Sequence, residues 1–325
     1  MENIMTTLKS SWNTSINKGG EYKRKDSQFR DVITADGSSG FKAEVGRYHL
    51  YVSHACPWAH RTLIFRKLKG LEDVISMSVV HPDMHNKGWS LQHDDESAKL
   101  YGTTGDDLYG SAFLSERYFD KAPDYQGNIT VPVLWDKKEQ VIVNNESSEI
   151  IRMLNTAFND ITGNVDDYYP ENLRSDIDAV NELVYQGINN GVYKTGFATT
   201  QESYEENVNK LFLALDEVET ILAKKRYLTG NQITEAHWRL WTTLIRFDSV
   251  YHTHFKCNIR LIESYHNIYN YMLELYQVPG IASTVHSAHI KRHYYASHLS
   301  LNPFGIVPLG HSQDWFAAHN RAAMA

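Results

Sequence analysis

The spacing of apolar positions divides the chain into two unlike halves. In the first half, short apolar runs predict strands at Arg47–Val52, with Tyr48, Leu50, Tyr51 and Val52, and at Val74–Val80. Between them Cys56 and Pro57 open a helix, since proline at the first helical position gives up no intrahelical bond. Leu63, Ile64 and Leu68 carry that helix to Gly70, which reads as its stop. Ile129–Asp136 and Gln140–Asn144 read as a hairpin turning on Lys137-Lys138-Glu139. Glu146–Phe158 reads as a closing helix with Ile150, Ile151 and Leu154 on one face. The order β-α-β, then β-β-α, predicts a thioredoxin-like unit over residues 46–159. Pro132 has no N–H for a ladder, and a cis Val131–Pro132 peptide would present backbone groups beside the helix that starts at Cys56.

Beyond a polar linker at 160–170 the period changes. Leu211, Leu215, Val218 and Leu222 repeat at three and four, as do Trp238, Trp241 and Ile245, and later Ile262, Tyr265, Tyr269, Met272 and Tyr276. Residues 171–325 are therefore predicted all-helical, with five or six helices and an extended tail at Asn302–Pro308. Residues 1–45 are polar and turn-rich and read as an arm without a core of its own. The polar stretch from His81 to Asn128 holds one short helix, around Ser115–Phe119. The fold class is α/β plus all-α.

At 325 residues, and about 150 per domain, two domains are expected. With 42% hydrophobic and 22% charged residues, the bulk of the chain is not disordered. A net charge of −7 argues against nucleic acid as a main partner. No apolar stretch approaches membrane-spanning length and residues 1–20 hold no targeting-type apolar run, so neither a membrane partner nor export is expected. Two cysteines, Cys56 and Cys257, exclude a disulfide scaffold and a Cys-rich zinc module, and point to a reducing, cytoplasmic setting. His81 and His85 read as a surface loop and not a metal site, because Pro82 separates them and no third ligand follows. Glycine-rich phosphate loops are missing, which argues against a nucleotide cofactor.

Cys56 stands where a strand hands over to a helix, so amide N–H groups and the helix dipole favour its thiolate. His54, His60 and Arg61 are expected to add positive potential. Position 59 is Ala, so a dithiol cycle inside the motif is impossible and an outside thiol must resolve any mixed disulfide. Glu146 and Ser147 open a helix after a strand, where free N–H groups suit a carboxylate and Glu146 an ammonium; the alternative is that they only cap the helix. Cys257 reads as structural.

Seven stretches carry a resemblance: S-H-A-C-P-W-A-H-R (53–61), V-P-V-L-W-D-K-K (131–138), N-E-S-S-E-I-I-R-M (145–153), G-V-Y-K-T-G-F-A (191–198), R-F-D-S-V-Y-H-T-H-F-K-C-N (246–258), H-I-K-R-H-Y-Y-A-S-H (289–298) and N-P-F-G-I-V-P (302–308). The chain resembles the glutathione transferases, specifically the Xi class, the glutathionyl-hydroquinone reductases. The resemblance implies a glutathione-transferase fold, with glutathione as co-substrate, glutathionyl-hydroquinones as substrates and a homodimer. It implies Cys56 as nucleophile and Tyr193 as proton donor. Tyr251 and Tyr294 would lie near the cysteine, lowering its pKa, while Trp89, Asn128, Ile129, Thr130, Val131, Glu146 and Ser147 would hold glutathione. Two positions depart from the family's pattern. Asn128 stands where an Arg is usual, which weakens the grip on a carboxylate, and His237 stands where an Asp usually completes a helix cap. The rival readings are an Omega-like thiol transferase and a non-catalytic binding module on the same fold.

Overall fold

The computed structural model describes residues 16–85 and 88–324; the His85 side chain and the first fifteen residues of the arm lie outside that set. The arm contributes two short parallel strands, Ile33–Thr34 (β1) and Phe41–Lys42 (β2), and buries Tyr22, Ile33 and Ala43 against the rest of the molecule. Tyr48–Val52 (β3) is buried at every residue, as a strand covered on both faces must be. It pairs in parallel with Ser76–Val79 (β4), with Val52 opposite Val79.

Pro57–Leu68 (α1) crosses between β3 and β4. Cys56 is its N-cap in extended conformation and Pro57 fills the first turn. The polar stretch that follows contains a small hairpin, Met84–His85 (β5) with Gly88–Trp89 (β6), then Asp95–Tyr101 (α2) and Ser115–Phe119 (α3). The helix α2 was not expected. Asp94 accepts from Ser97 N at 2.7 Å, and Ser97 Oγ accepts from Asp94 N at 3.1 Å, a reciprocal cap that secures a short helix in polar sequence.

Val133–Asp136 (β7) and Val141–Asn144 (β8) complete the sheet in the order β4-β3-β7-β8, antiparallel except for the first pair. The predicted first strand of the hairpin is thus shortened: it begins only at Val133, after a cis Val131–Pro132 peptide, because Pro132 has no ladder donor. The closing helix is Ser147–Thr156 (α4), with Glu146 as N-cap. A short turn, Asn159–Thr162 (α5), leads into the linker.

The second half is helical. Arg174–Leu183 (α6) runs through a π-helical segment at Val184–Asn189 into Gly191–Gly196 (α7). Gln201–Leu222 (α8) follows. Glu235–Arg246 (α9) continues through a second π-helical segment, Phe247–Tyr251, into His252–His254 (α10). His266–Tyr276 (α11) and Ser287–Ser297 (α12) complete it, and residues 302–308 are non-helical as expected.

His237 caps α9 in the way the usual Asp would: its Nδ1 lies 2.8 Å from Thr234 N, and its Nε2 accepts from Leu228 N at 3.0 Å. The halves are tied by Arg152 on α4, which reaches Glu235 at 2.8 Å, and by Arg61 on α1, which donates to Asn189 at 2.8 Å. No described helix is long and apolar enough to cross a membrane.

Candidate active site

Cys56 lines an open cleft between the sheet half, the helical half and the arm, with about 1140 Å³ of free space when the solvent at its mouth is included. The residue is partly exposed as a whole, and its Sγ donates to Val131 O at 3.4 Å. Burial is the largest influence and leaves the thiol's pKa raised, against the expectation from the helix start alone; the N–H groups of Ala59 and Trp58 and the charges of Arg24 and Arg246 pull it back only in part. The cations differ from those expected. His54 and His60 are buried and held neutral, each with a pKa well below the ordinary imidazole value because of burial, so neither adds charge. Arg61 turns away, toward Ser147 Oγ at 3.4 Å and Asn189.

The tyrosines come together. Tyr193 and Tyr294 line the cavity; Tyr251 lies one layer behind, fully buried. Their hydroxyls form a chain, Tyr193 to Tyr294 at 2.7 Å and Tyr294 to Tyr251 at 3.0 Å. Burial raises Tyr193 and Tyr251 well above the usual phenol value and Tyr294 to about 12, so all three stay protonated and can donate.

Of the expected glutathione contacts, Trp89, Asn128, Ile129, Thr130 and Val131 line the cavity. Trp89 stacks on His293, with ring centroids 4.9 Å apart. Tyr118 pins the 128–131 segment: its hydroxyl donates to Thr130 O at 2.9 Å and accepts from Thr130 N at 3.2 Å. Glu146 and Ser147 stand just behind Asn145, which forms the wall there. Glu146 also caps α4, accepting from Ser148 N at 3.1 Å and Ser148 Oγ at 2.9 Å. Burial pushes its carboxyl up, but the Ser148 N–H and the charges of Arg24 and Arg61 outweigh it and leave the pKa lowered.

Sequence reasoning missed the arm's contribution. Tyr22, Arg24 and Gln28 line the cavity, and Ser27 Oγ donates to Glu146 at 3.2 Å. Arg24 lies over the Trp58 ring, 4.3 Å from its centroid, while Arg61 approaches the same ring at 4.5 Å. Arg24 therefore puts a cation at the pocket that Asn128 lacks.

Models of the N-terminal and C-terminal domains of glutathione S-transferase match residues 55–157 and 201–273. With the sheet, the lone Cys56 and the helical cover, they define a glutathione transferase. Glutathionyl-hydroquinone reductase YqjG of Escherichia coli is 53% identical over 96% of this chain and 95% of its own. The glutathione-bound structure of YqjG superposes with a TM-score of 0.88, covering 91% of this chain and 96% of that one. Glutathionyl-hydroquinone reductase PcpF of Sphingobium chlorophenolicum is 47% identical over 94% of both chains. An Xi-class transferase from Natrialba magadii is 46% identical with a TM-score of 0.88, covering 94% of this chain and 96% of that one. The chain belongs to the Xi class of glutathione transferases, the glutathionyl-hydroquinone reductases.

Proposed function

We propose that the protein reduces S-glutathionyl-hydroquinones with glutathione through a mixed disulfide on Cys56. The observation that carries this reading is a single cysteine at a helix N-terminus, with no second thiol in its motif, facing a tyrosine-lined cavity. The relatives named for this activity support it.

In the first step the Cys56 thiolate attacks the substrate sulfur. The aryl C–S bond breaks as the S–S bond forms, and the aryl carbon takes a proton from Tyr193. Hydroquinone leaves, and Cys56 carries glutathione as a disulfide. In the second step a glutathione thiolate attacks that disulfide, Cys56 leaves as thiolate, and oxidised glutathione departs. The proton lost by the second glutathione balances the one delivered to carbon. Tyr294, bonded to both neighbours, holds the Tyr193 hydroxyl in place and replenishes its proton.

Trp89, the 128–131 segment and the helix start at Glu146 and Ser147 hold glutathione, with Arg24 drawing in a carboxylate. The unpaired cysteines fit a reducing, cytoplasmic setting. The exposed apolar side chains of Phe304, Ile306, Leu309 and Phe316 suit a homodimer contact, which light scattering would detect as a doubled mass.

The test is intact-mass spectrometry after brief exposure to glutathionyl-menadiol. Wild type should gain one glutathione, lost again on adding glutathione with menadiol released, and Cys56→Ala should gain none. A folded, reduced wild type that yields neither adduct nor menadiol would rule the reductase reading out.

A further inference from the structure

Arg246 ends α9 and is fully buried. Its Nε donates to Ala55 O at 2.8 Å and its Nη2 to His54 O at 2.8 Å, so one guanidinium grips both carbonyls immediately before Cys56. Nη1 donates to Thr242 O at 2.7 Å and to His60 Nδ1 at 3.1 Å. With Nδ1 accepting, the His60 proton sits on Nε2 and goes to Thr284 Oγ1 at 2.7 Å. None of these acceptors is negatively charged, and Arg246 makes no ion pair with any described residue. A buried cation without a counterion is costly, because no opposite charge makes up for the water it gave up. Its charge bears on Tyr251, Tyr294 and Cys56, and of these the two phenols stay protonated, which leaves the Cys56 thiolate as the anion it can stabilise.

We infer that Arg246 is a positioning residue for Cys56: from the helical half it clamps the turn that presents the sulfur, and its uncompensated charge stabilises the thiolate. The inference rests on Cys56 as the nucleophile.

Other groups face the sulfur. Tyr193 and Tyr294 are neutral hydroxyls. His54 and His60, behind the turn, and His293 and His298, on the cavity wall, are held neutral by burial. Arg24 is the competing cation on the thiol and is only half-buried on the arm, where the exposed Lys25 and Asp26 also line the cavity. Salt separates the two, because screening acts on exposed charges and hardly on buried ones.

The experiment follows the pH dependence of iodoacetamide alkylation at Cys56, read by mass spectrometry on the free protein. In wild type the midpoint should move by less than about 0.3 pH unit between 0.05 and 1 M sodium chloride. Arg246→Met should raise it by about one pH unit or more. Arg246→Lys should keep it near the wild-type value yet lower turnover about tenfold or more, since an ammonium keeps the charge but loses the fork that holds two carbonyls. A midpoint that climbs by about a unit with salt would assign the charge to Arg24 and overturn the inference. So would a folded Arg246→Met protein with the wild-type midpoint. If the Met variant does not fold, the salt titration and the Lys variant still decide. Alkylation needs no hydroquinone, so failure here is distinct from failure of the reductase reading.

Discussion

On the sheet side of the cleft, Cys56, Val131 and Asn145 stand at strand ends and helix starts, and the backbone aims them. On the helical side, Tyr193, Tyr251 and Tyr294 come from three separate helical segments, and only packing brings the Tyr193 and Tyr251 hydroxyls to 2.7 and 3.0 Å from that of Tyr294. The sheet side supplies a thiol and main-chain groups. The helical side supplies neutral hydroxyls and one hidden cation. A wall aimed by backbone tolerates repacking around it, whereas a wall assembled from side chains depends on every helix being in place.

Acid should break this contrast most severely. His237 and His289 are held near about 3, and His254 and His293 near about 4, all by burial in the helical half. Their folded values lie below the ordinary 6.5, so the unfolded chain takes up protons first as pH falls. Stability is full above about 6.5 and is lost below it, by roughly 2 kcal/mol per histidine at pH 5. Calorimetry between pH 7.5 and 5.0 should show the melting temperature falling by about ten degrees or more. A flat profile would mean these rings are not buried neutral.

Tyr193→Phe keeps the ring and removes the proton carrier. Its kcat with glutathionyl-menadiol should fall by roughly 10²-fold while the KM for glutathione hardly moves. Tyr251→Phe, one layer back, should lose less than about tenfold. Equal losses in the two variants would erase the distinction between donor and support.

His237→Ala tests the helical side without touching the cleft. Losing the cap should cost about 1–2 kcal/mol and a few degrees of melting temperature, with Cys56 alkylation unchanged. Arg24→Ala tests the third wall, the arm. Since Arg24 is half-exposed, the KM for glutathione should rise only about two- to fivefold, with kcat preserved, as steady-state kinetics would show.

How much of this could be read beforehand follows from the same contrast. Cys56 was legible because strand, cysteine, proline and helix are adjacent in sequence. So was the Val131–Pro132 edge. The length of the first hairpin strand was overread, although Pro132 already argued against a ladder there. The charges around Cys56 were misassigned, because whether His54 and His60 carry protons is decided by burial, which adjacency does not reveal. Arg24 and Arg246 were missed for a related reason. Arg24 meets Trp58, and Arg246 meets His54 and Ala55, only after the chain has folded back on itself. The tyrosines were placed by resemblance, and no periodicity would have brought them together.

The two π-helical segments bear on how this chain can change in length. Val184–Asn189 lies just ahead of Tyr193, and Phe247–Tyr251 contains Tyr251 itself. Each residue of a helix turns the chain by about 100°, so deleting one residue from either wide turn would swing everything downstream by that angle. The tyrosine would then leave the cleft although its identity was untouched. These turns act as phase-setting spacers: a substitution within them alters one side chain, whereas an insertion or deletion re-aims every side chain that follows.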